Sequence, residues 1–126
     1  MIPEFWKYIK YFKPSEFDSP DFKGTGEKMN EKLIRHLDAL RIYLAKPLRV
    51  NSGYRTEAHN IAIKGSKNSA HLTGEAVDIR CLDSQLRFAM VDFMRKRGIM
   101  RIGIAHSFVH FDVKDNAPQG VIWLYK

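Results

Sequence analysis

Between Ser69 and Asp78 the chain reads Ser-Ala-His-Leu-Thr-Gly-Glu-Ala-Val-Asp, which sets a histidine and a carboxylate seven residues apart across a glycine. A second pair, His110-Phe111-Asp112, follows within Ser107–Val113. Two imidazoles and one carboxylate that converge make a three-ligand centre, the donor set of a catalytic zinc with one position open. His71 and His110 supply imidazole nitrogens in this reading, and Asp78 a hard oxygen. Gly74 lets the backbone turn sharply between the first two. Taken singly, His71 reads as a loop cap and Asp78 as the end of a surface turn. Taken with Ser69, Gly74, Ala76 and the downstream His-x-Asp they form one pattern. A fold that satisfies it must bring residues 71, 78 and 110 to one point.

The remaining sequence offers a scaffold for this. Residues 1–26 are loop-rich, with turn chemistry at Lys13-Pro14-Ser15-Glu16 and Asp18-Ser19-Pro20-Asp21 and aromatics (Phe5, Trp6, Tyr8, Tyr11, Phe12, Phe17) to pin the segment onto the domain. Met29, Leu33, Leu37, Leu40 and Leu44 recur at helical spacing and predict a helix over roughly 27–45, ended by Pro47. Leu48–Ser52 alternates like a strand. Thr56 is placed to cap a short helix from Glu57, and Asp83 or Ser84 a helix running to about Arg97 and stopped at Gly98. Strands are expected at Ala76–Arg80, Met100–Ala105, Phe108–Val113 and Val121–Tyr125.

Strands joined by short turns pair antiparallel. The expected class is therefore α+β, a small single domain over 1–126 with helices packed on an antiparallel sheet. His71 falls in the loop before one strand and Asp78 within it. His110 faces away from Val109 and Phe111, so one sheet face can carry Asp78, His110 and Asp112, and the zinc site is expected there. Asp112 reads as an acceptor that fixes a ligand imidazole's tautomer, or as a surface aspartate.

Composition narrows the function classes. No apolar run approaches the ~18 residues of a membrane-spanning helix. The single Cys81 excludes an intramolecular disulfide and a multi-thiolate zinc site, and reads as a small buried hydrophobe. The net charge of +7 favours a polyanionic partner (nucleic acid, an anionic membrane or an acidic wall polymer), or reflects a lysine-rich solvated surface. The basic residues are scattered and no nucleic-acid motif accompanies them, so specific nucleic-acid binding is not expected. His36 and His59 read as surface or structural histidines. Trp6 and Trp123 read as core aromatics, with a glycan contact as the alternative for Trp123.

Three stretches carry a resemblance: Ser52-Gly53-Tyr54-Arg55-Thr56, Asn68 through Ile79, and Phe108 through Val113. From about Phe17 to Val113 the chain resembles the zinc D-alanyl-D-alanine carboxypeptidase family, which includes L-alanyl-D-glutamate endopeptidases and phage endolysins. The resemblance implies that His71, Asp78 and His110 bind zinc and that the substrates are murein stem peptides or bonds involving D-amino acids. It implies that Arg55 reaches the site, to stabilise an oxyanion or bind a substrate carboxylate. It implies that Ser69 hydrogen-bonds substrate or orients its loop. Members of the family place an acidic residue or a histidine shortly before the last zinc histidine. Here Ser107 stands at that spacing, and His106 is the titratable group nearby, expected as general base with Glu75 as the substitute.

The resulting expectation is a zinc-dependent, monomeric peptidase of peptidoglycan stem peptides, of phage or prophage type, held on an anionic wall by its basic surface. Met1–Lys7 lacks the layout of a signal peptide. The protein is accordingly expected to be made in the cytoplasm and to act on the wall after release, or as part of a virion. The alternative is a non-catalytic zinc-containing module for wall binding or virion assembly, which kept the metal and lost the base.

Overall fold

The computed structural model describes residues 2–126. Three α-helices run over Glu31–Leu44 (α1), Glu57–Ala62 (α2) and Ser84–Lys96 (α3). Five strands span Val50–Ser52 (β1), Ala76–Arg80 (β2), Arg101–Ile104 (β3), Phe108–Asp112 (β4) and Val121–Leu124 (β5). The first helix starts later than its apolar spacing predicts. The Asn30 side chain caps it by accepting from the Leu33 amide at 3.1 Å, while Thr25–Lys28 makes a separate 3-10 turn. Its end also precedes Pro47, because Ala45 adopts a left-handed conformation (φ 54°). Thr56 and Asp83 cap α2 and α3 as their positions predict.

The sheet order is β1-β2-β4-β3-β5. All pairings are antiparallel except the last, since β5 runs parallel to β3. The sheet is thus mostly antiparallel, as expected, with the β3–β5 pair as the one parallel exception. Both edges of β4 are occupied, by β2 and β3, so the short Lys114–Gly120 connection must carry the chain past β3 to the free edge beyond it.

Alternation divides the sheet into two faces. Val77, Ile79, Ile102, Val109 and Phe111 point to one side, where they pack with Leu33 and Leu37 of α1 and Met90 and Met94 of α3 in a single core. Burying each such side chain contributes about 1.5–3 kcal/mol against the entropy of ordering it. Trp6, Phe12 and Phe17 join this core and hold the N-terminal segment down, while Tyr8 and Tyr11 are exposed. A polar tie supplements them: buried Asp38 of α1 accepts from the Lys10 and Tyr11 amides at 3.0 and 2.9 Å. Cys81 is buried, as expected of a small hydrophobe.

The opposite face carries a row of directly opposed residues across all five strands: Ser52, Asp78, His110, Gly103 and Trp123. Among the described residues no helix is long and apolar enough to cross a membrane.

Candidate metal centre

Asp78 and His110 stand opposite each other in that row, and the loop before β2 brings His71 to the same place. Local chemistry shapes this loop. The Ser69 hydroxyl caps the 3-10 turn Ala70–Thr73 by accepting from the His71 amide at 3.2 Å. Gly74 then turns the chain at φ 74°, where a Cβ would lie 2.5 Å from the Lys28 carbonyl oxygen. Only glycine meets both conditions. The Ser52–Thr56 stretch grips the loop from the other side, with the Arg55 amide donating to the His71 carbonyl at 3.0 Å.

Two further hydrogen bonds set the imidazoles. His71 Nδ1 donates to the Gly53 carbonyl at 2.8 Å, which leaves Nε2 as a lone pair 3.3 Å from Asp78 Oδ1. His110 Nε2 donates to Asp112 Oδ2 at 2.7 Å, and its Nδ1 faces Asp78 Oδ1 at 2.8 Å. Each ring thus has its outer nitrogen committed to an acceptor and its inner nitrogen turned to a common point. This is how ligand histidines are oriented by the groups behind them.

The three inner atoms lie within 4.8 Å of one another and all three residues are buried. Two lone pairs and a carboxylate oxygen so arranged repel unless a positive charge lies among them. A proton on His110 is one remedy. Burial disfavours that proton, but the hydrogen bonds with Asp112 and Asp78 outweigh burial and raise the imidazole's pKa above its ordinary value. Burial likewise works to raise Asp78, and the hydrogen bonds from His110 and His71 overturn it, holding the carboxyl well below the usual carboxylate range. A divalent cation is the other remedy. Donor atoms about 2.1 Å from a tetrahedral zinc stand about 3.4 Å apart, a spacing that the 3.3 and 2.8 Å separations approach. Nitrogen and oxygen donors, burial and braced outer nitrogens together fit zinc.

The centre opens into a cavity of about 400 Å³. Its lining includes the cations Arg55, Arg101 and Lys114 and the aromatics Phe108, Trp123 and Tyr125. The Trp123 ring tilts over His110 with centroids 5.3 Å apart. Arg101 lays its guanidinium 5.1 Å from the Trp123 ring and donates from Nε to Asp112 Oδ1 at 2.6 Å. Burial raises the Tyr125 phenol, and the Asp78 and Asp112 carboxylates add to the rise.

Of the other residues singled out in the sequence, Arg55 and Ser69 line this cavity. Arg55 Nη1 donates to Asn60 Oδ1 at 3.0 Å and to Ser69 Oγ at 3.4 Å, and its Nε is buried without a partner. Burial lowers its pKa, with Asp78 and Tyr125 opposing. His106 is exposed in the β3–β4 turn and does not line the cavity. It precedes the strand whose alternation aims Phe108, His110 and Asp112 inward. Glu75 lines a different groove, with Lys32, His36 and Arg97, and accepts from the Thr73 hydroxyl at 2.5 Å. His36 accepts from Arg97 Nε at 3.0 Å, a structural role.

Five cationic or aromatic lining residues escaped the sequence reading as site residues: Arg101, Phe108, Lys114, Tyr125 and Trp123, the last expected chiefly in the core. The alternation Val121-x-Trp123-x-Tyr125 was the available signal, but the parallel pairing that gives it a destination was not. The family model described as Peptidase M15 matches residues 10–112, a segment that contains His71, Asp78, His110 and Asp112 and stops short of Lys114 and β5. No curated protein matches the chain.

Proposed function

The chain belongs to the M15 peptidase family, and from that premise we propose that it is a zinc peptidase cleaving peptidoglycan stem peptides, of D-Ala-D-Ala carboxypeptidase or L-Ala-D-Glu endopeptidase type. The observation that carries this reading is the braced His71–Asp78–His110 cluster at the base of an open cavity. His71 Nε2, Asp78 Oδ1 and His110 Nδ1 would hold the metal, with Asp112 behind His110 and the Gly53 carbonyl behind His71. Bound zinc supplies Lewis-acid chemistry, polarising a carbonyl and acidifying water.

The chain's own residues supply the rest. Arg55, cationic and half-buried at the cavity wall, is placed to stabilise negative charge on the reacting peptide. Ser69 positions Arg55 and the His71 loop through its hydroxyl. Phe108, Trp123 and Tyr125 add aromatic surface to the lining. For proton transfer, the Tyr125 phenol is a titratable group on the cavity lining, and His106, the base expected from the sequence, is its competitor from the exposed turn outside the cavity. His106→Ala and Tyr125→Phe separate them, since the residue that moves protons lowers kcat on substitution while zinc content is unchanged. A phage or prophage setting, with the +7 charge holding the enzyme on an anionic wall, completes the reading.

The test is digestion of purified peptidoglycan with and without chelator, with fragments identified by mass spectrometry. Cleavage that stops with EDTA and returns with zinc is expected. Loss of terminal D-alanine would mark the carboxypeptidase, and a cut after L-alanine the endopeptidase. Cleavage indifferent to chelation would overturn the reading. One observation favours a second possibility, a non-catalytic wall-binding or assembly module: neither His106 nor Glu75 lines the cavity. Full zinc occupancy without cleavage of any muropeptide would select it.

A further inference from the structure

Three cations line the cavity, and they are not alike. Arg101 is spent on Asp112, with its Nε 2.6 Å from the carboxylate and its Nη1 donating to the Pro118 carbonyl at 2.8 Å. Arg55 and Lys114 have no ion-pair partner among the described residues. Arg55 reaches only neutral oxygens and an amide, those of Ser52, Ser69 and Asn60, and keeps a buried Nε that donates to nothing. Lys114 Nζ donates to the Asn68 carbonyl.

The two anchors are consecutive. Asn68 and Ser69 hold Lys114 and Arg55 from adjacent residues of one strip of backbone, about 3.8 Å apart from Cα to Cα. Both side chains line the one cavity, and neither is neutralised by a salt bridge there. Asp78 favours the Arg55 charge from a distance, but the hydrogen bonds and ion pairs of the cavity's two carboxylates go elsewhere, those of Asp78 to the histidines and those of Asp112 to His110 and Arg101. A bound metal would add two more positive charges. The cleft is therefore electrostatically incomplete on the Asn68–Ser69 side, and what completes it is an anion of the size and geometry of a carboxylate.

We propose that Lys114 and Arg55 together bind a carboxylate of the substrate, so that the cleft selects acidic peptides and Lys114 is a specificity-determining residue. This rests on reading the cavity as a peptide site. Lys114 lies past the segment matched by the family model, on the connection that leaves β4. Arg55 supplies directional donors and Lys114 a mobile point charge, a division that tolerates either a chain-terminal or a side-chain carboxylate.

The test is NMR titration of the full-length, metal-free protein, where no bond can be cut. The probes are N-acetyl-Ala-Glu, its C-terminal amide, N-acetyl-Ala-Gln and the diamide. Binding of the dicarboxylate is expected to weaken about ten-fold in Lys114→Gln, the size of one charge-assisted hydrogen bond, and to recover in Lys114→Arg. The diamide is expected to bind wild type and variant alike. Whichever mono-amide keeps the sensitivity to Lys114 identifies the carboxylate that is read. Equal affinity of wild type and Lys114→Gln for the dicarboxylate, equal affinity of diacid and diamide, or no binding by any probe would each overturn the proposal. Carboxylate binding that depends on Lys114, in a protein whose zinc form cleaves nothing, would instead sink the peptidase reading alone.

Discussion

Asp112 is the residue whose position says most about how the centre is tuned. It is buried, accepts from His110 Nε2 at 2.7 Å with one oxygen and from Arg101 Nε at 2.6 Å with the other. It therefore decides which nitrogen of His110 is free to face Asp78. Asp112→Asn keeps the shape but can present an amide N–H to the ring, which would turn the inner nitrogen into a donor. Zinc affinity should fall about 10- to 100-fold with all three ligands in place, measured by competition with a chromophoric chelator, and unchanged affinity would show that Asp112 only fills space. The His110–Asp112 contact was legible in the sequence, because a His-x-Asp on one strand places both side chains on one face. The positions of His106 and Glu75 were not. Each lies near a cluster residue in sequence, and the local turn that leaves each off the cavity lining leaves no mark on spacing.

At the level of elements, β5 reaches the centre across β3 because residue 103 is glycine. A Cβ there would lie 2.6 Å from Tyr125 Cε2 and 2.7 Å from Trp123 Nε1. Gly103→Ala should push both rings out of the wall. Tryptophan emission should shift to the red and kcat/KM on a peptide should fall, with zinc content kept. An unshifted spectrum would mean that the rings do not depend on the gap. The sheet also shows where sequence reading stops. Helix caps at Thr56 and Asp83 and the strand Ala76–Arg80 depend on neighbouring residues and were readable. The partner of β5 depends on which edges the other strands have already filled, a non-local matter. The N-terminal segment is a second such case. Aromatic content predicted its docking, but its attachment to α2 runs through Asp21, which accepts from the Ser19 hydroxyl at 2.5 Å and the Thr56 hydroxyl at 2.7 Å. These bonds, Ser19's first, lower the Asp21 pKa. A carboxyl depressed in the folded state stabilises above its unfolded pKa of about 3.9 and loses that contribution as pH falls through the lower folded value. The Tm advantage of wild type over Asp21→Asn should therefore hold at pH 6 and shrink below about pH 4. A difference that stays constant down to pH 2 would remove Asp21 from the tie.

For the molecule as a whole, the proposed metal centre would also act as a staple. His71 comes from the loop before β2, Asp78 from β2 and His110 from β4, so the ligands gather only when the sheet has formed. An ion that binds the folded chain and not the unfolded one stabilises it by mass action, about 2.7 kcal/mol at a free concentration one hundred times Kd. Without the ion, the lone pairs of two imidazoles face a carboxylate oxygen at 3.3 and 2.8 Å, a repulsion that a proton on His110 relieves. Zinc removes that repulsion, so its stabilisation should exceed what ligand bonds to a pre-relaxed site would give. For a domain of 126 residues, 1 kcal/mol corresponds to roughly 3–6 °C. Chelation should then lower Tm by about 8–16 °C from the zinc-saturated value. Asp78→Ala should abolish the zinc-dependent rise, because it deletes the one atom that both imidazoles face. Scanning calorimetry of wild type and Asp78→Ala, each with zinc and with EDTA, checks this. A Tm indifferent to zinc in the wild type would mean that the three residues form a hydrogen-bonded cluster and not a metal site.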